Sequence, residues 1–393
     1  MSTAAQVLFW GCAAWLVYLY LGYPLVLSLL AKARSRRFTA SPDCLPMVSV
    51  LIAARNEERH IRRKVEETLG WDYPPGLLEV LVASDASDDG TDEILQSLAG
   101  PRMRYLRLPA RIGKNLALNR LHEIARGELL LFCDANSRIL PGALRSLVGH
   151  FADERVGCVT GAERTVADEN EFSMDSGNSA FLRYESFVNR RESRLGSVLT
   201  CDGALFCIRR KLFTRLDADL ANDLELPIYI GAAGFAVLYE PSALAFEATS
   251  ASPREEFKRR RRICGQGALG LCRLRRQLRG LRLWQFVSRK VLRWLSLLPM
   301  AGILLSSAIL AAQPLFAGLL LLQAIFYLFA LFGLLAAALR RRGGRILDLP
   351  FFFVLANLGA CVGVLDALLG RRYAVWQPIT RVESAPHAAG RGL

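Results

Sequence analysis

Two acids stand where hydrophobic runs stop. Glu128-Leu129-Leu130-Leu131-Phe132-Cys133 ends at Asp134, with Ala135 and Asn136 following. Glu79 to Ser84 ends at Asp85, followed by Ala86-Ser87-Asp88-Asp89-Gly90-Thr91. Such runs are those of strands buried on both faces of a parallel sheet. An acid at the carboxyl end of such a strand lies where open α/β sheets place their ligands. Two carboxylates delivered to one sheet edge describe a site for a metal-bound or ribose-bearing ligand, and so an enzyme site.

The surrounding pattern supplies the elements that would position them. Val48 to Ala54 is a continuous apolar run and reads as a strand. Asn56 is placed to cap a helix, with Glu57 and Glu58 in its first turn and Ile61, Val65, Thr68 and Leu69 along its inner face. Pro74-Pro75-Gly76 stop that helix before the strand Leu78 to Ser84. Asp88 or Asp89 would cap a second helix opening at Gly90 and Thr91 and running to Leu98. Met103 to Leu108 is a third strand, Lys114 to Ala125 a third helix, and Glu128 to Cys133 a fourth strand. Pro141 suits the first turn of a helix reaching Phe151. This alternation predicts a Rossmann-like α/β domain, a mainly parallel sheet with helices on both faces.

Composition places that domain beside a membrane. The chain has 393 residues and a hydrophobic fraction of 52%. Val7 to Leu30 carries no charge and exceeds the ~20 apolar residues that cross a bilayer. No Lys or Arg precedes it and the run is too long for a signal peptide, so it reads as an anchor. Trp294 to Leu339 is also uncharged, interrupted at Gln313-Pro314, and predicts a hairpin of two spans. Leu347 to Leu369, with Asp348 and Asp366, is a third span or a re-entrant segment. Lys32, Arg34, Arg36 and Arg37 after the anchor place the central domain in the cytosol of a multi-pass inner-membrane protein, and Arg340, Arg341, Arg342 and Arg345 agree. Arg371, Arg372, Arg381 and Arg391 do not, if the last segment crosses fully.

The net charge of +14 concentrates beside these segments, at Lys258 to Arg262 and Arg273 to Arg293. That excess suits anionic headgroups rather than nucleic acid, since no aromatic-interleaved basic module accompanies it. The nine cysteines form no Cys-x-x-Cys pair and the four histidines are isolated, which points to small buried hydrophobes in a reducing compartment.

The series Val48 to Arg55 with Asn56-Glu57, then Ser84-Asp85-Ala86-Ser87-Asp88-Asp89-Gly90-Thr91, Gly113-Lys114-Asn115 and Asp134-Ala135-Asn136 resembles the membrane-bound inverting glycosyltransferases of family 2. That group includes the cellulose, hyaluronan and poly-N-acetylglucosamine synthases. The resemblance extends from the first span to Trp376-Gln377-Pro378 with Arg381. It implies a glycosyltransferase-A fold, a nucleotide-diphospho-sugar donor and a divalent metal. Asp85 would then meet the uracil or ribose of the donor, or else serve as a turn acid. Lys114 would pair with donor phosphate, or stand solvated at a helix start. Asp134 matches the first acid of the family's Asp-x-Asp, whose second acid is Asn136 here. Mg²⁺ or Mn²⁺ tolerates that change, because one carboxylate, an amide oxygen, water and the diphosphate can hold a hard cation.

An inverting transfer also needs a base for the acceptor hydroxyl. By resemblance it lies in Leu220-Ala221-Asn222-Asp223-Leu224-Glu225-Leu226-Pro227, downstream of Cys201-Asp202-Gly203-Ala204, as Asp223 with Glu225 in reserve. The family's Gln-x-x-Arg-Trp corresponds to the run from Lys258 to Gly267, where Arg262 takes the arginine's part and Ile263 replaces the tryptophan. Arg262 would grip diphosphate, or the run would be a basic amphipathic helix on the bilayer, or both.

These readings divide the chain into an anchor and basic flank (1–37), a catalytic domain (46–253), basic interfacial helices (254–290), a C-terminal membrane region (291–370) and an Arg-containing tail (371–393). The expected activity is transfer of a sugar, from a UDP-sugar above all, to a lipid-linked or polysaccharide acceptor at the membrane. Transfer to polyprenyl phosphate, and a catalytically weak scaffold with export-complex partners, are the alternatives.

Overall fold

The computed structural model describes residues 2–166, 175–248, 252–339 and 344–373. Its centre is one eight-stranded sheet: β1 (Val48–Ala54), β2 (Leu78–Ser84), β3 (Met103–Arg107), β4 (Leu129–Cys133), β5 (Arg138–Ile139), β6 (Val156–Val166), β7 (Leu205–Arg209) and β8 (Ala236–Ala248). The spatial order is β3-β2-β1-β4-β7-β6-β8-β5. The first four strands pair in parallel, as the alternation predicts. Beyond β4 the sheet is mixed, because β7 runs antiparallel to both β4 and β6, and β5 antiparallel to β8. This turns the Rossmann-like half into a mixed sheet and brings the start of β7 beside the end of β4.

Both faces of the parallel half are buried. Val50, Ile52, Val80, Val82 and Leu131 enter one apolar cluster, while Leu51, Leu81, Leu130 and Phe132 enter the other. The period-two alternation therefore separates two cores rather than core from water, which is why these strands are apolar throughout. Phe132 stacks on its cross-strand partner Phe206 with ring centroids 4.6 Å apart. Burying each such side chain stabilises the sheet by roughly 1.5–3 kcal/mol.

The helices follow in chain order as α1 (Ser2–Val17), α2 (Tyr23–Ala33), α3 (Ile61–Leu69), α4 (Thr91–Leu98), α5 (Lys114–Ile124), α6 (Ala143–Val148), α7 (Asp175–Arg194), α8 (Asn222–Ala232), α9 (Pro253–Leu274), α10 (Gly280–Phe286), α11 (Leu292–Trp294), α12 (Leu297–Ile309), α13 (Pro314–Ala338) and α14 (Arg345–Leu368). One expected cap fails. The helix after β1 starts at Ile61 behind His60, not at Asn56. Asn56 instead takes a left-handed φ of 54° and its Oδ1 accepts from the Asp88 amide at 3.1 Å, tying two strand-end loops together. Asp89 does serve its helix start, accepting from the Thr91 amide at 3.1 Å.

Among the described residues, three helices are long and apolar enough to cross a membrane: Thr3–Ala33, Pro314–Ala338 and Ile346–Leu368. The first joins α1 and α2 through a π-helical turn, Tyr18–Gly22. The hairpin expected between Trp294 and Leu339 is unequal. Its first half, α12, has 13 residues, about 20 Å, against a hydrocarbon core of about 30 Å. It reaches spanning length only with the preceding Gly280–Trp294 stretch, from which it bends by 55°. Arg340, Arg341 and Arg342, the Trp376-Gln377-Pro378 stretch, Arg381 and Arg391 lie outside the described residues.

The basic helix α9 packs against α14. Gly359 and Gly363, four residues apart, open the contact; a Cβ on Gly363 would collide with the Arg261 carbonyl. Asp366 of α14 pairs with Arg261 and accepts from Arg371 at 2.9 Å. Arg260 binds Glu256 at 2.7 Å and Arg273 binds Asp219 at 2.9 Å. Arginines that the sequence directs toward lipid headgroups are thus ion-paired within the protein.

Candidate active site

Asp85 and Asp134 emerge from the same end of the sheet, on either side of β1. Asp85 is buried, and its carboxylate accepts from the amides of Ile112 at 2.7 Å and Gly113 at 2.9 Å. That grip fixes the turn into α5, and the first residue of α5, Lys114, reaches across to Asp134 with Nζ 2.5 Å from Oδ1. Behind Asp134, the buried Lys64 donates to the Ser137 carbonyl at 2.9 Å and hydroxyl at 3.1 Å, and Ser137 Oγ donates to the Asp134 carbonyl at 2.9 Å. The carboxylate therefore sits on a turn braced from beneath.

The antiparallel β7 brings the next acids. Cys133 pairs with Leu205, so Asp202-Gly203-Ala204 lies beside Asp134. The Cys201 amide donates to the Asp223 carbonyl at 2.8 Å, fixing the start of α8 over this loop. Asn115 donates to the carbonyls of Asp217 at 2.6 Å and Leu220 at 2.9 Å, tying the same segment to α5. Gly203 lets Asp223 come close: a Cβ there would lie 3.1 Å from Asp223 Oδ2. Burial raises the Asp223 carboxyl above its ordinary range, and the ammonium of Lys114 works against that rise. Burial, with the charges of Glu163 and Glu247 added, holds Asp202 well above the usual carboxylate range.

These groups share one cavity of about 680 Å³. Lys114, Asp134, Asp202 and Asp223 line its sheet end. Tyr20, Leu349, Phe352 and Phe353, from the first and last membrane-length helices, line the other. Arg259, Arg262 and Ile263 of α9 also line it. Arg259 lies 3.7 Å from Glu163 and 3.9 Å from Glu247, an interior cation rather than a solvated neighbour of Arg262. Of the residues singled out in the sequence, Lys114, Asp134, Asp223 and Arg262 meet here. Asp85 stands behind Lys114 and Asn136 outside the lining. Glu225 turns away to accept from the Asp217 amide at 3.1 Å. Asp202 is named in the sequence only as part of the segment ahead of Asp223, and Glu163 and Glu247 not at all, because the strand pairing that gathers them is long-range.

No cluster of three His, Cys, Asp or Glu side chains able to hold a metal occurs among the described residues. The protein offers Asp134, with the Asn136 amide two residues on. A single strand-end carboxylate is compatible with Mg²⁺ or Mn²⁺, which take one or two carboxylates and complete their shell with water and substrate phosphates.

A parallel half-sheet delivering acids at the ends of β2 and β4, extended by antiparallel strands, defines a glycosyltransferase-A α/β domain. Residues 49–217 match the family described as Glycosyl transferase family 2. The chain is 30% identical over 190 residues to a beta-monoglucosyldiacylglycerol synthase of Trichormus variabilis, covering 46% of this chain and 40% of that one. It is 30% identical over 213 residues to the probable glycosyltransferase YdaM of Bacillus subtilis, covering 52% and 51%. The chain thus spans about half the length, or less, of these relatives. Among solved structures, the mannosyltransferase PcManGT of Pyrobaculum calidifontis, in complex with GDP-Man and Mn²⁺, superposes with a TM-score of 0.70 at 21% identity. That match covers 93% of this chain and 100% of the other.

Proposed function

We propose that the chain is an inverting glycosyltransferase that moves a sugar from a nucleotide-diphospho-sugar to a lipid acceptor held at the membrane. One observation carries this reading: a single cavity runs from the strand-end acids to apolar side chains of membrane-length helices. A polar donor and an apolar acceptor tail would each find a matching wall. The first relative described above is by its name a glycolipid synthase, which supports a lipid rather than a polysaccharide acceptor.

In this mechanism Asp223 accepts the proton of the acceptor hydroxyl as the oxygen attacks the anomeric carbon. Its raised affinity for protons brings it closer to the strength a general base needs at neutral pH. Lys114 and Arg262 supply positive charge where the diphosphate leaves. Asp85 keeps Lys114 in place by holding the turn before it. Asp134, with Asn136, would hold a divalent cation, which when bound offsets negative charge on the leaving nucleoside diphosphate.

The test is transfer by the purified protein given a panel of radiolabelled nucleotide-diphospho-sugars and a total lipid extract. Label should enter a solvent-extractable lipid. Label confined to free sugar or to a water-soluble polymer would overturn the lipid acceptor, and no consumption of any nucleotide sugar would overturn the transferase.

A further inference from the structure

Several cations around the cavity are bound to protein carboxylates. Arg289 lies 2.5 Å from Glu185 and 2.6 Å from Glu192, and Arg293 lies 2.6 Å from Glu185. Lys114 is held by Asp134 and Arg259 by Glu163 and Glu247. Lys290 lines the same cavity between Arg289 and Arg293 in sequence, yet no hydrogen bond or ion pair reaches its ammonium among the described residues. Glu185 and Asp223 act on it only at longer range. Its backbone lies in a π-helical segment, Val287–Val291, between α10 and α11. Such a turn breaks the regular helical spacing of side chains and occurs frequently at functional sites. Here Arg289 enters the carboxylates of α7 while Lys290 is left for the cavity.

An uncompensated ammonium in a partly desolvated wall, beside two guanidinium groups, is costly unless an anion meets it. Glu185 and Glu192 on α7 are already committed to the arginines. We propose that Lys290 binds a phosphate group of a substrate next to Asp223, an assignment that rests on the transferase reading for the nature of that substrate. The shared chemistry is a phosphoryl oxygen. It comes either from the donor diphosphate or from a phosphorylated lipid acceptor.

The experiment compares wild type, Lys290→Gln and Lys290→Arg in the full-length protein, using binding of UDP with Mn²⁺, of farnesyl phosphate and of neutral farnesol. A charge-assisted contact predicts that Lys290→Gln weakens one phosphate probe by roughly ten- to a hundredfold. Lys290→Arg should restore most of it, and farnesol binding should not move. Weakening of UDP identifies the donor as the source; weakening of farnesyl phosphate with UDP intact identifies the acceptor. If Lys290→Gln leaves both phosphate probes unchanged, or weakens farnesol equally, the assignment is overturned even where wild type transfers sugar. If the anions bind through Lys290 but no sugar is transferred, the transferase reading fails and the assignment stands.

Discussion

A carboxylate that must take a proton from an alcohol works best when its own proton affinity has been raised, and Asp223 meets that condition through burial. Asp223→Asn should keep UDP affinity within a few-fold and cut transfer by ~10²–10⁴. In the wild type, the acidic limb of the kcat profile should lie above the ordinary carboxylate value of 3.8, since only the ionised form accepts a proton. Loss of UDP binding together with turnover would make the residue structural. Asp134 answers a different measurement. Mn²⁺ should strengthen UDP binding in the wild type, and Asp134→Ala should remove that increment along with transfer. Full-rate transfer by EDTA-treated protein would end the metal assignment. That both acids line one cavity was in part legible in the sequence, for Asp134 from the apolar strand ahead of it and for Asp223 only through family resemblance. Lys64 was legible too and was passed over: Ile61, Lys64, Val65 and Thr68 share one buried face of α3, where a lysine needs a partner.

The strands β1, β2 and β4 announce their own ends because burial on both faces leaves them apolar until the chain turns. What local pattern cannot announce is that β7 returns antiparallel and sets Asp202 beside Asp134, since that pairing joins segments some 70 residues apart. The same limit hid Arg259, which composition alone consigned to a basic stripe but α9 delivers to Glu163 and Glu247. The short helix α8 carries a testable consequence of its burial. Glu225 is buried and its carboxyl is pushed up from 4.5 to about 7 by desolvation. The folded state therefore holds this proton more tightly than the unfolded chain does. The resulting stability is fully present below pH 4.5 and is lost as pH rises through about 7. Glu225→Gln keeps an acceptor for the Asp217 amide and removes the ionisation. Its thermal midpoint should match the wild type in acid and exceed it above pH 7. A variant less stable than wild type at every pH would show that the carboxylate is needed for its own sake.

At the scale of the whole molecule, the two ends of the sequence cooperate on one wall. Tyr20 from the first long helix and Phe353 from the last pack with ring centroids 6.3 Å apart, and both line the cavity whose other end holds Asp134 and Asp223. Hydropathy located these helices but could not say that they meet, nor that the stretch before Gln313 would be too short to span unaided. If this wall seats the acceptor tail, charge placed on it should damage one substrate and spare the other. Phe353→Arg puts a guanidinium where an apolar chain would lie, while the lining at the sheet end keeps its residues. UDP binding in the presence of Mn²⁺ should stay within a few-fold of wild type. Transfer to lipid should fall by at least about tenfold, the equivalent of one misplaced contact of ~1.4 kcal/mol. Phe353→Leu, apolar and smaller, should recover most of the transfer and thereby exclude simple misfolding of the helix pair. Equal loss of UDP binding and transfer in Phe353→Arg would mean that the wall supports the catalytic domain rather than the acceptor. Unimpaired transfer would place the acceptor tail outside this cavity, along the lipid-facing surface of the helices.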